Sequence, residues 1–446
     1  MKEKEFLPAV KERLGIEILN PMQERMMATA SEGHDVILLS PTGSGKTLAF
    51  ALPLLKLMRP STGRVQAVVI APSRELVLQT ASVLGSISGN LKVTPLYGGH
   101  KVEDEVNSLS AGTDIIVATP GRLLDHSRRR NVDLLPTRIC VLDEFDKSLE
   151  LGFEDDMRKI FERLKNVSHI FLTSATDMAV LPDFLKLNKP TTLSFLDTAD
   201  EVRGRMTVHR VNADSKDKLE SLLKLLGRIN AGKERPEKSI IFVNHRESAE
   251  RVYKYLRTKK VPAVLYHGGI DQKERETAVT CFNNGSRPIL VATDLAARGL
   301  DIAGVNSIIH YHLPMQEETY THRNGRTARV DASGDVYLLV GPEEKLESYI
   351  TPDKELEIKD AGTKIPESGL TTLYISAGKK EKLSRGDILG FLTSQENIPA
   401  ASVGKINVFD HYSLVAVESK DASKLLAKGN TFKIKGSSRR IHANDA

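Results

Sequence analysis

The sequence DVILLSPTGSGKT, residues 35–47, decides the fold of this chain. It begins with a short run of Val, Ile and Leu, which is typical of a strand buried on both faces of a parallel sheet. The glycines that follow let backbone N–H groups face a phosphate at a helix N-terminus. We expect Lys46 to reach the β- and γ-phosphates and the Thr47 hydroxyl to bind Mg²⁺. Ser40 stands where the strict P-loop pattern has Gly, and a glycine turn without a ligand is the less favoured alternative.

The same alternation of buried strand and helix continues up to residue 196. Candidate strands, each short, rich in Val, Ile or Leu and followed by a loop, lie at 35–40, 66–71, 114–118, 139–142 and 170–173. Helical patterns such as 74–84 and 153–164 lie between them. Strands that alternate with helices in this way predict βαβ units and a doubly wound parallel sheet.

A polar stretch at 197–205 interrupts the pattern, and a second alternation follows. Its candidate strands lie at 239–243, 263–266, 288–292, 305–311 and 335–340. A linker with Pro and Gly near 365–369 leads to a third block in the order βαββαβ, which suggests a small fold like an RNA-recognition domain. The strands predicted there are 372–376, 404–407, 414–417 and 431–435, with helices at 385–394 and 420–427. We therefore predict two α/β domains, at 1–205 and 206–365, and a small α+β domain at 370–446.

Length and composition limit the class of protein. At roughly 150 residues per domain, 446 residues predict about three domains. An apolar content of 40% excludes a wholly disordered chain, and no stretch approaches the ~20 apolar residues of a membrane helix. The N-terminus is too polar for a signal peptide, which predicts a cytoplasmic protein. Cys140 and Cys281 have no partner motif, which excludes a disulfide framework and a structural zinc site and favours two reduced, apolar side chains.

The net charge of +5 is concentrated in the third block. Of the 63 basic and 58 acidic residues, 12 and 7 lie in residues 371–446, so that the preceding residues are balanced. Nucleic acid is therefore a candidate partner of this block. A merely soluble basic surface is the alternative.

Two further motifs carry groups for hydrolysis. The sequence VLDEFD, residues 141–146, ends a buried strand, and its carboxylates should lie beside the P-loop at the carboxyl edge of the sheet. Asp143 is expected to hold Mg²⁺ and Glu144 to deprotonate the attacking water; a solvated turn is the alternative. The sequence HRNGRTAR, residues 322–329, supplies arginines that could stabilise charge on the γ-phosphate if the two α/β domains close on one nucleotide. An exposed basic helix start is the alternative there.

Taken together, these motifs resemble those of DEAD-box RNA helicases in identity, order and spacing over about residues 5–345. Gln23 follows Pro21-Met22, with Phe6 upstream, as in the Q motif that reads adenine. The remaining matches are the P-loop, PSREL (72–76), Gly98-Gly99, TPGR (119–122), DEFD (143–146), SAT (174–176), FVNHR (242–246), Gln272 with Arg275, ATDLAARGLD (292–301) and HRNGRTAR (322–329). The resemblance implies two tandem RecA-like domains, ATP and Mg²⁺ as cofactors, and RNA-dependent ATP hydrolysis that drives local unwinding.

The resemblance also implies roles for individual residues. ATP would be bound by Phe6, Gln23, Thr42, Gly43, Ser44, Gly45, Lys46, Thr47, Asp294 and Asp301. Hydrolysis would depend on Lys46, Asp143, Glu144, Arg326 and Arg329, with Thr47 and Asp143 holding Mg²⁺. Coupling of hydrolysis to unwinding would involve Asp146, Ser174, Thr176 and His322. RNA contacts would fall on Arg74, Gly99, Thr119, Arg122, Gln272 and Thr293.

The chain departs from the family pattern at three places. Phe145 stands where the name-giving motif has Ala; the acidic residues are intact, so we expect hydrolysis to survive, and an altered coupling is left open. Ala328 replaces the usual Gly of the last motif, which a helix tolerates. Leu19-Asn20 replaces the Pro-Thr that usually precedes Pro21, which leaves the conformation of the Q-motif loop open.

The third block resembles the C-terminal domain of DbpA-type bacterial helicases. The resemblance rests on SAGKK (376–380), RGDILG (385–390), GKINVFD (404–410) and IKG (434–436). That subfamily binds a hairpin of 23S rRNA during assembly of the large ribosomal subunit, which implies rRNA or an assembling subunit as partner, without DNA or membrane, and a monomer. The candidate RNA-binding residues are Lys379, Lys380, Tyr412, Lys433 and Lys435. Tyr412 is the one expected stacking aromatic that remains, so loops and basic edges should carry most of the binding; a protein-docking domain or a non-specific anchor is the alternative.

Two other functions stay open at this point. One is an ATP-gated RNA clamp that binds without much unwinding, and the other is a DNA translocase with a related two-domain core. Loss of Glu144 separates a clamp, which tolerates it, from a helicase, which should stall in a closed, RNA-bound state. A DNA-stimulated ATPase would identify the translocase, but the backbone-contact motifs argue against it.

Overall fold

The computed structural model of the protein describes residues 3–41, 43–99, 101–177, 180–196, 206–297, 302, 304–327, 333–359 and 362–444. These residues form two compact units, one before residue 197 and the other from residue 206 onward. The polar stretch 197–205 lies outside the described residues, as do the predicted site residues Thr42, Asp301 and Arg329, and Ala328. None of the described helices combines the length and apolarity needed to cross a membrane.

The first unit is built on a parallel sheet in which the strand order differs from the chain order. Its strands are β1 (Val36–Leu39), β2 (Ala67–Ile70), β3 (Val93–Leu96), β4 (Ile115–Ala118), β5 (Ile139–Leu142), β6 (His169–Ser174) and β7 (Thr191–Ser194). Its helices are α1 (Glu3–Leu14), α2 (Pro21–Ser31), α3 (Lys46–Leu57), α4 (Arg74–Ile87), α5 (Val102–Ser110), α6 (Pro120–Arg128), α7 (Phe145–Glu150) and α8 (Glu154–Phe161). The strands lie in the order β3-β4-β2-β5-β6-β1-β7.

Both faces of this sheet are buried, as the apolar strands predict. Along β2, Val69 enters the cluster that contains Phe50 of α3, whereas Val68 and Ile70 enter the cluster that contains Leu123 of α6. Successive strand residues point to opposite faces, so a continuous apolar run is what two helical layers require. The sequence analysis missed β3 and β7, because these edge strands contain Thr, Pro and Ser instead of such a run.

The second unit contains another parallel sheet, with the order β10-β11-β9-β12-β13-β8-β14. Its strands are β8 (Met206–Asn212), β9 (Ser239–Phe242), β10 (Ala263–Tyr266), β11 (Ile289–Ala292), β12 (Ser307–His310), β13 (Gly334–Val340) and β14 (Lys354–Glu355). Its helices are α9 (Leu219–Ile229), α10 (Arg246–Thr258), α11 (Gln272–Asn283) and α12 (Glu317–Asn324), with a short 3₁₀ turn at Asp294–Ala297. Strands β8 and β14 were not predicted, because apolar and polar residues are mixed along β8 and β14 is wholly polar.

The same unit carries an antiparallel sheet in the order β16-β17-β15-β19-β18. Its strands are β15 (Leu370–Ile375), β16 (Val403–Val408), β17 (Ser413–Glu418), β18 (Thr431–Ile434) and β19 (Ser437–Ala443), with helices α13 (Arg385–Gly390) and α14 (Ser419–Ala427). The predicted order βαββαβ lacked β19, because its sequence SSRRIHA contains no apolar run. β19, and not β18, pairs with the central strand β15, with Tyr374 opposite His442.

Candidate functional site

The motifs of the first unit collect at the carboxyl edge of its sheet. The P-loop follows β1, Asp143 and Glu144 follow β5, and Ser174 ends β6. Because β5, β6 and β1 are neighbours in the sheet, three segments far apart in the chain meet at one edge. The carboxyl ends of β2, β3 and β4, on the other half of the sheet, lead into the residues predicted to contact RNA.

The P-loop has a conformation that a side chain at Gly45 would disturb. Gly45 has a φ of 94°, and a Cβ there would lie 2.7 Å from the amide nitrogen of Gln23. Lys46 begins α3, is buried, and donates from Nζ to the carbonyl oxygens of Ser40 (2.6 Å) and Pro41 (3.1 Å). The Ser40 hydroxyl donates to the Ser44 hydroxyl at 2.6 Å, so the serine that departs from the strict pattern braces the loop.

The Q-motif loop is held by Asn20, the residue that departs from the family pattern. Asn20 and Gln23 form a capping box at the start of α2, in which each side chain accepts from the other's backbone N–H. The Asn20 amide also donates to the carbonyl of Ser44 (3.1 Å), and the Gln23 amide to that of Gly45 (3.4 Å). Phe6 is fully buried in a hydrophobic cluster, so its support of an adenine stays a prediction.

Thr173 on β6 joins the first two carboxylate residues of the DEFD motif. Its hydroxyl donates to Asp143 Oδ1 at 2.7 Å and accepts the backbone N–H of Glu144 at 3.1 Å. Glu144 adopts left-handed backbone angles (φ 47°, ψ 54°), an uncommon conformation that collects at functional sites. The sequence analysis did not single out Thr173, because a threonine inside a predicted strand has no distinguishing signal.

Asp143 fits the requirements of a Mg²⁺ ligand. Its Oδ2 atom is buried and has no hydrogen-bond partner among the described residues. Burial and the charge of Glu144 raise the pKa of Asp143 to about 6, and the hydrogen bond from Thr173 opposes this rise. A buried carboxylate oxygen beside a P-loop would satisfy a hard cation, and the cation would in turn stabilise the ionised form. Thr47 is the second residue of the neighbouring helix α3 and is half-buried.

The last aspartate of DEFD connects this motif to the SAT sequence. Asp146 Oδ2 accepts the Thr176 hydroxyl at 3.0 Å and the Ala175 backbone N–H at 3.1 Å. The Ser174 hydroxyl in turn donates to the carbonyl of Thr176. Phe145, in contrast, is fully buried in the apolar cluster beneath the sheet and does not share the hydrogen-bonding surface of the motif. The contacts agree with a coupling role for Asp146, Ser174 and Thr176, which stays a prediction.

The residues predicted to bind RNA lie on the other half of the edge. Arg74, at the start of α4, lies over the Tyr97 ring at 4.6 Å, and a Cβ at Gly99 would fall 2.7 Å from its guanidinium. Arg122 donates to the buried carboxylate of Glu105 at 2.6 Å. Thr119 directly follows β4 and precedes α6.

Glu105 is a further residue of this surface that the sequence analysis missed. Burial would raise its pKa, but hydrogen bonds from His126, Tyr97 and Arg122 outweigh burial, and the pKa of Glu105 is lowered. A buried carboxylate with three donors fixes the position of Arg122. Glu105 is one of three consecutive acidic residues at the start of a polar helix, and nothing in the sequence distinguishes it from the other two.

In the second unit, Arg323 is the centre of the HRNGRTAR motif. It is fully buried and donates to Asp294 Oδ1 (2.6 Å), Asn244 Oδ1 (2.8 Å) and the carbonyl of His312 (2.9 Å). The predicted arginine fingers did not include this residue. Its partners follow β11, β9 and β12, which are neighbours in the sheet, so Arg323 ties three strand ends together.

The other predicted residues that the structure describes in this unit lie on or next to its helices and strands. His322 lies 3.4 Å from Glu318, and Arg326 is buried directly after α12. Thr293 follows β11, and its N–H donates to the carbonyl of Tyr266. Gln272 is the first residue of α11, and its amide donates to Glu276 at 3.0 Å.

The antiparallel domain presents its basic residues on a loop and a hairpin. Lys379 and Lys380 are exposed, while their backbone N–H groups donate to the carbonyls of Phe409 and Asp410. Lys433 is exposed on β18. Lys435 bonds to Asp387 and to the carbonyl of Lys382, which holds the hairpin against the loop. We name the residues 378–383 and the hairpin 431–443 the basic edge.

Tyr412 does not have the position expected of an RNA-stacking residue. Its side chain is 8% exposed, its ring stacks between Phe409 and Tyr374, and its hydroxyl donates to Glu276 of α11. The ring is therefore not available to stack on RNA in this arrangement, and the RNA-binding role of Tyr412 stays a prediction. The physical reason is that another part of the chain already covers the ring.

Comparisons with known proteins agree with this arrangement of domains and motifs. The DEAD/DEAH box helicase family model matches residues 20–181, the helicase conserved C-terminal domain matches 217–331, and the DbpA RNA binding domain matches 372–443. The ATP-dependent RNA helicase DbpA of Escherichia coli is 33% identical over 440 residues, which cover 96% of this chain and 95% of the relative. The DEAD-box helicase RhpA of Helicobacter pylori is 32% identical over 77% of this chain and 70% of the relative.

Solved structures show the same fold. The DEAD-box helicase Mss116 bound to single-stranded RNA and UDP-BeF has a TM-score of 0.70 at 26% identity, over 80% of this chain and 78% of that one. Dbp5 of Saccharomyces cerevisiae bound to RNA and ADP BeF3 has a TM-score of 0.68 at 26% identity, over 80% and 94%. The fold of this chain is therefore two RecA-like domains followed by a small antiparallel-sheet domain. The chain belongs to the DEAD-box ATP-dependent RNA helicases of the DbpA type.

Proposed function

We propose that this helicase remodels 23S rRNA during assembly of the large ribosomal subunit. We name the P-loop, Asp143, Glu144 and Thr173, at the carboxyl edge of the first sheet, the nucleotide edge. The observation that carries the proposal is the combination, in one chain, of this nucleotide edge with a DbpA-type domain that has an exposed basic edge. The similarity to Escherichia coli DbpA over nearly the whole chain supports it. We further propose that the protein acts as a cytoplasmic monomer.

The nucleotide edge would carry out the hydrolysis of ATP. Gln23 would read the adenine, and Lys46 would contact the phosphates once a ligand replaces the carbonyl oxygens that it now contacts. Glu144 would accept a proton from the attacking water, because its backbone is held by Thr173 at the carboxyl end of β5. Thr47 and Asp143 would hold Mg²⁺, which neutralises developing charge on the phosphates when bound.

The predicted arginines and aspartates of the second unit would complete the ATPase. Arg326 and Arg329 would stabilise the charge on the transferred phosphoryl group, and Asp294 and Asp301 would contact the nucleotide. Arg323 would act indirectly, because its guanidinium is committed to Asp294, Asn244 and His312. His322 would belong to the coupling residues, together with Asp146, Ser174 and Thr176.

RNA would be bound by two surfaces of different selectivity. Arg74, Gly99, Thr119, Arg122, Gln272 and Thr293 would contact the RNA backbone. Backbone contacts carry no sequence information, so these residues would accept many RNAs. The exposed lysines of the basic edge, Lys379, Lys380 and Lys433, would direct the enzyme to rRNA, with Lys435 shaping the hairpin.

The test is ATP hydrolysis at saturating ATP with 23S rRNA, with poly(A) and with duplex DNA. We expect 23S rRNA to stimulate at concentrations at least tenfold lower than poly(A). The variant with both Lys379→Ala and Lys380→Ala should lose that advantage and keep the poly(A) response. Lys359→Ala, at an exposed lysine of the second unit outside the basic edge, is the matched control. Equal stimulation by every RNA in the unchanged protein would refute targeting to 23S rRNA, and stimulation by DNA would refute the RNA-specific reading.

A second experiment separates a helicase from a passive RNA clamp. Glu144→Gln keeps the shape of the side chain and removes the base. A helicase should then bind ATP and RNA together, without releasing either, and should not separate a short duplex. Unchanged function in remodelling assays would instead identify a clamp.

A further inference from the structure

The DbpA-type domain is docked on the second RecA-like domain by the face of its sheet that its own helices leave uncovered. Leu373 and Val415 point into the domain's own core. Their strand neighbours Thr372, Leu414 and Ala416 point to the opposite face and are nevertheless buried. Residues of the second RecA-like domain cover this face, in part by hydrogen bonds: the Thr372 hydroxyl contacts Asn284 (2.9 Å) and Ser286 (2.7 Å).

Four near-parallel rings lie at this docked face. Phe409, Tyr412, Tyr374 and His442 follow one another with centroid distances of 4.5, 5.5 and 4.8 Å. RNA-recognition domains use aromatic rings on this face to stack bases. Here the ammonium group of Lys273, on α11, lies 5.0 and 5.1 Å from the centroids of Tyr374 and Tyr412. The two central rings therefore contribute to an interface within the chain.

The Tyr412 hydroxyl reaches a residue that holds Gln272. It donates to Glu276 Oε2 at 3.3 Å, and the Gln272 amide nitrogen donates to Glu276 Oε1 at 3.0 Å. Gln272 and Glu276 are four residues apart, so they share one face of α11. Burial and the neighbouring Glu276 raise the pKa of Tyr412, which keeps its hydroxyl protonated and able to donate.

One atom of Gln272 is left for a ligand. Its amide oxygen is buried and has no hydrogen-bond partner in the part of the chain that the structure describes. Because Glu276 accepts a hydrogen bond from the amide nitrogen, the orientation of the amide is fixed and its oxygen remains as an acceptor. An acceptor in that position suits a hydroxyl donor, and the 2′-hydroxyl is the donor that RNA has and DNA lacks.

We infer that Tyr412 is a positioning residue that links the docked DbpA-type domain to the RNA contact of the helicase core through Glu276 and Gln272. The inference rests on the proposed role of Gln272 as an RNA contact. Loss of the hydroxyl removes one of the hydrogen bonds that hold the Glu276 carboxylate, and this weakens its hold on the orientation of the Gln272 amide. In the unchanged protein, this link lets the DbpA-type domain strengthen RNA binding at the core, even for RNA that its basic edge does not recognise.

The test uses full-length protein and poly(A), with ATP hydrolysis measured as a function of RNA concentration. Tyr412→Phe removes the hydroxyl and keeps the stacked ring. We expect the poly(A) concentration for half-maximal stimulation to rise three- to tenfold while the maximal rate stays within twofold. Tyr374→Phe is the matched control, because it removes a hydroxyl from the same row of rings, one that accepts a hydrogen bond from Lys273 at 3.5 Å; it should leave both values unchanged.

Combination with Gln272→Ala distinguishes an effect that passes through Glu276 and Gln272 from a general loosening of the interface between the DbpA-type domain and the second RecA-like domain. If the effect passes through Gln272, adding Tyr412→Phe to Gln272→Ala should change nothing further. A half-maximal concentration for Tyr412→Phe within twofold of the unchanged protein, or full additivity of the two substitutions, would overturn the inference. Absence of any RNA stimulation in the unchanged protein would instead overturn the proposed function.

Discussion

Thr173→Val is the substitution that tests the nucleotide edge most directly. The side chain is fully buried, and valine has nearly the same shape, so the change removes a hydroxyl that bonds both Asp143 and the Glu144 backbone. A hydrogen bond to a charged group contributes about 1.5–3 kcal/mol. At ~1.4 kcal/mol per pKa unit, its loss should raise the pKa of Asp143 by roughly one to two units above its value of about 6.

The consequence is a shift of the acid limb of kcat/KM for Mg·ATP, because that parameter reports groups of the free enzyme. The sign follows from the ionised carboxylate being the active form. Raising its pKa removes activity on the acid side and spares the alkaline side. At pH 6, half of Asp143 is ionised in the unchanged protein and about 1–10% in the variant, so kcat/KM should fall roughly five- to fiftyfold. The deficit should shrink toward pH 9, and the Mg²⁺ concentration for half-maximal activity at pH 7 should rise.

Two controls accompany this measurement. Thr173→Ser keeps the hydroxyl and loses one methyl group, so its acid limb should match that of the unchanged protein, at a stability cost of about 1 kcal/mol. Thr137→Val makes the same exchange at another buried threonine, whose hydroxyl has no hydrogen-bond partner among the described residues; it should not affect activity. An acid limb for Thr173→Val that coincides with that of Thr173→Ser would refute the reasoning.

Three further outcomes are expected. Phe145→Ala, which restores the family residue, should cost about 3–5 kcal/mol in urea unfolding of the first unit, because it empties a fully buried site; a cost below about 1 kcal/mol would show that the ring is not a core residue. Arg323→Ala should destabilise the second unit by about 3–5 kcal/mol, since it empties a fully buried site and removes three hydrogen bonds, and Arg323→Lys should recover only part of this; urea midpoints of both variants check it. Burial lowers the pKa of His310 to about 3 and that of His312 to about 4. The unfolded chain therefore binds more protons between about pH 4 and 6.5, so unfolding free energy should fall by about 2 kcal/mol per histidine from pH 7 to pH 5. His312→Asn should make the unfolding free energy less dependent on pH. An unchanged slope of unfolding free energy against pH would count against this explanation.

Much of the nucleotide edge was predictable, and the reasons are local. The P-loop needs positive φ values at its glycines and a helix immediately after it, and both requirements are visible in consecutive residues. The partners that orient the chemical groups were not predictable. Thr173 is 30 positions from Asp143, and Arg122 is 17 positions from Glu105. The contacts of Asn20 were predictable in part, because its capping box is local but its bond to Ser44 spans 24 positions.

The amino-acid sequence predicted the two alternations of strand and helix, the small third domain and the positions of the nucleotide motifs. It could do so because a parallel strand covered on both faces requires a continuous apolar run, and a bound phosphate requires glycines before a helix. Tertiary structure alone decided which strands are neighbours, which edge strands complete each sheet, and which partners each polar side chain acquires. It also decided the use of Tyr412, which lies 136 positions from Glu276. Burial of its ring depends on a helix of another domain, and no pattern of adjacent residues records such a contact.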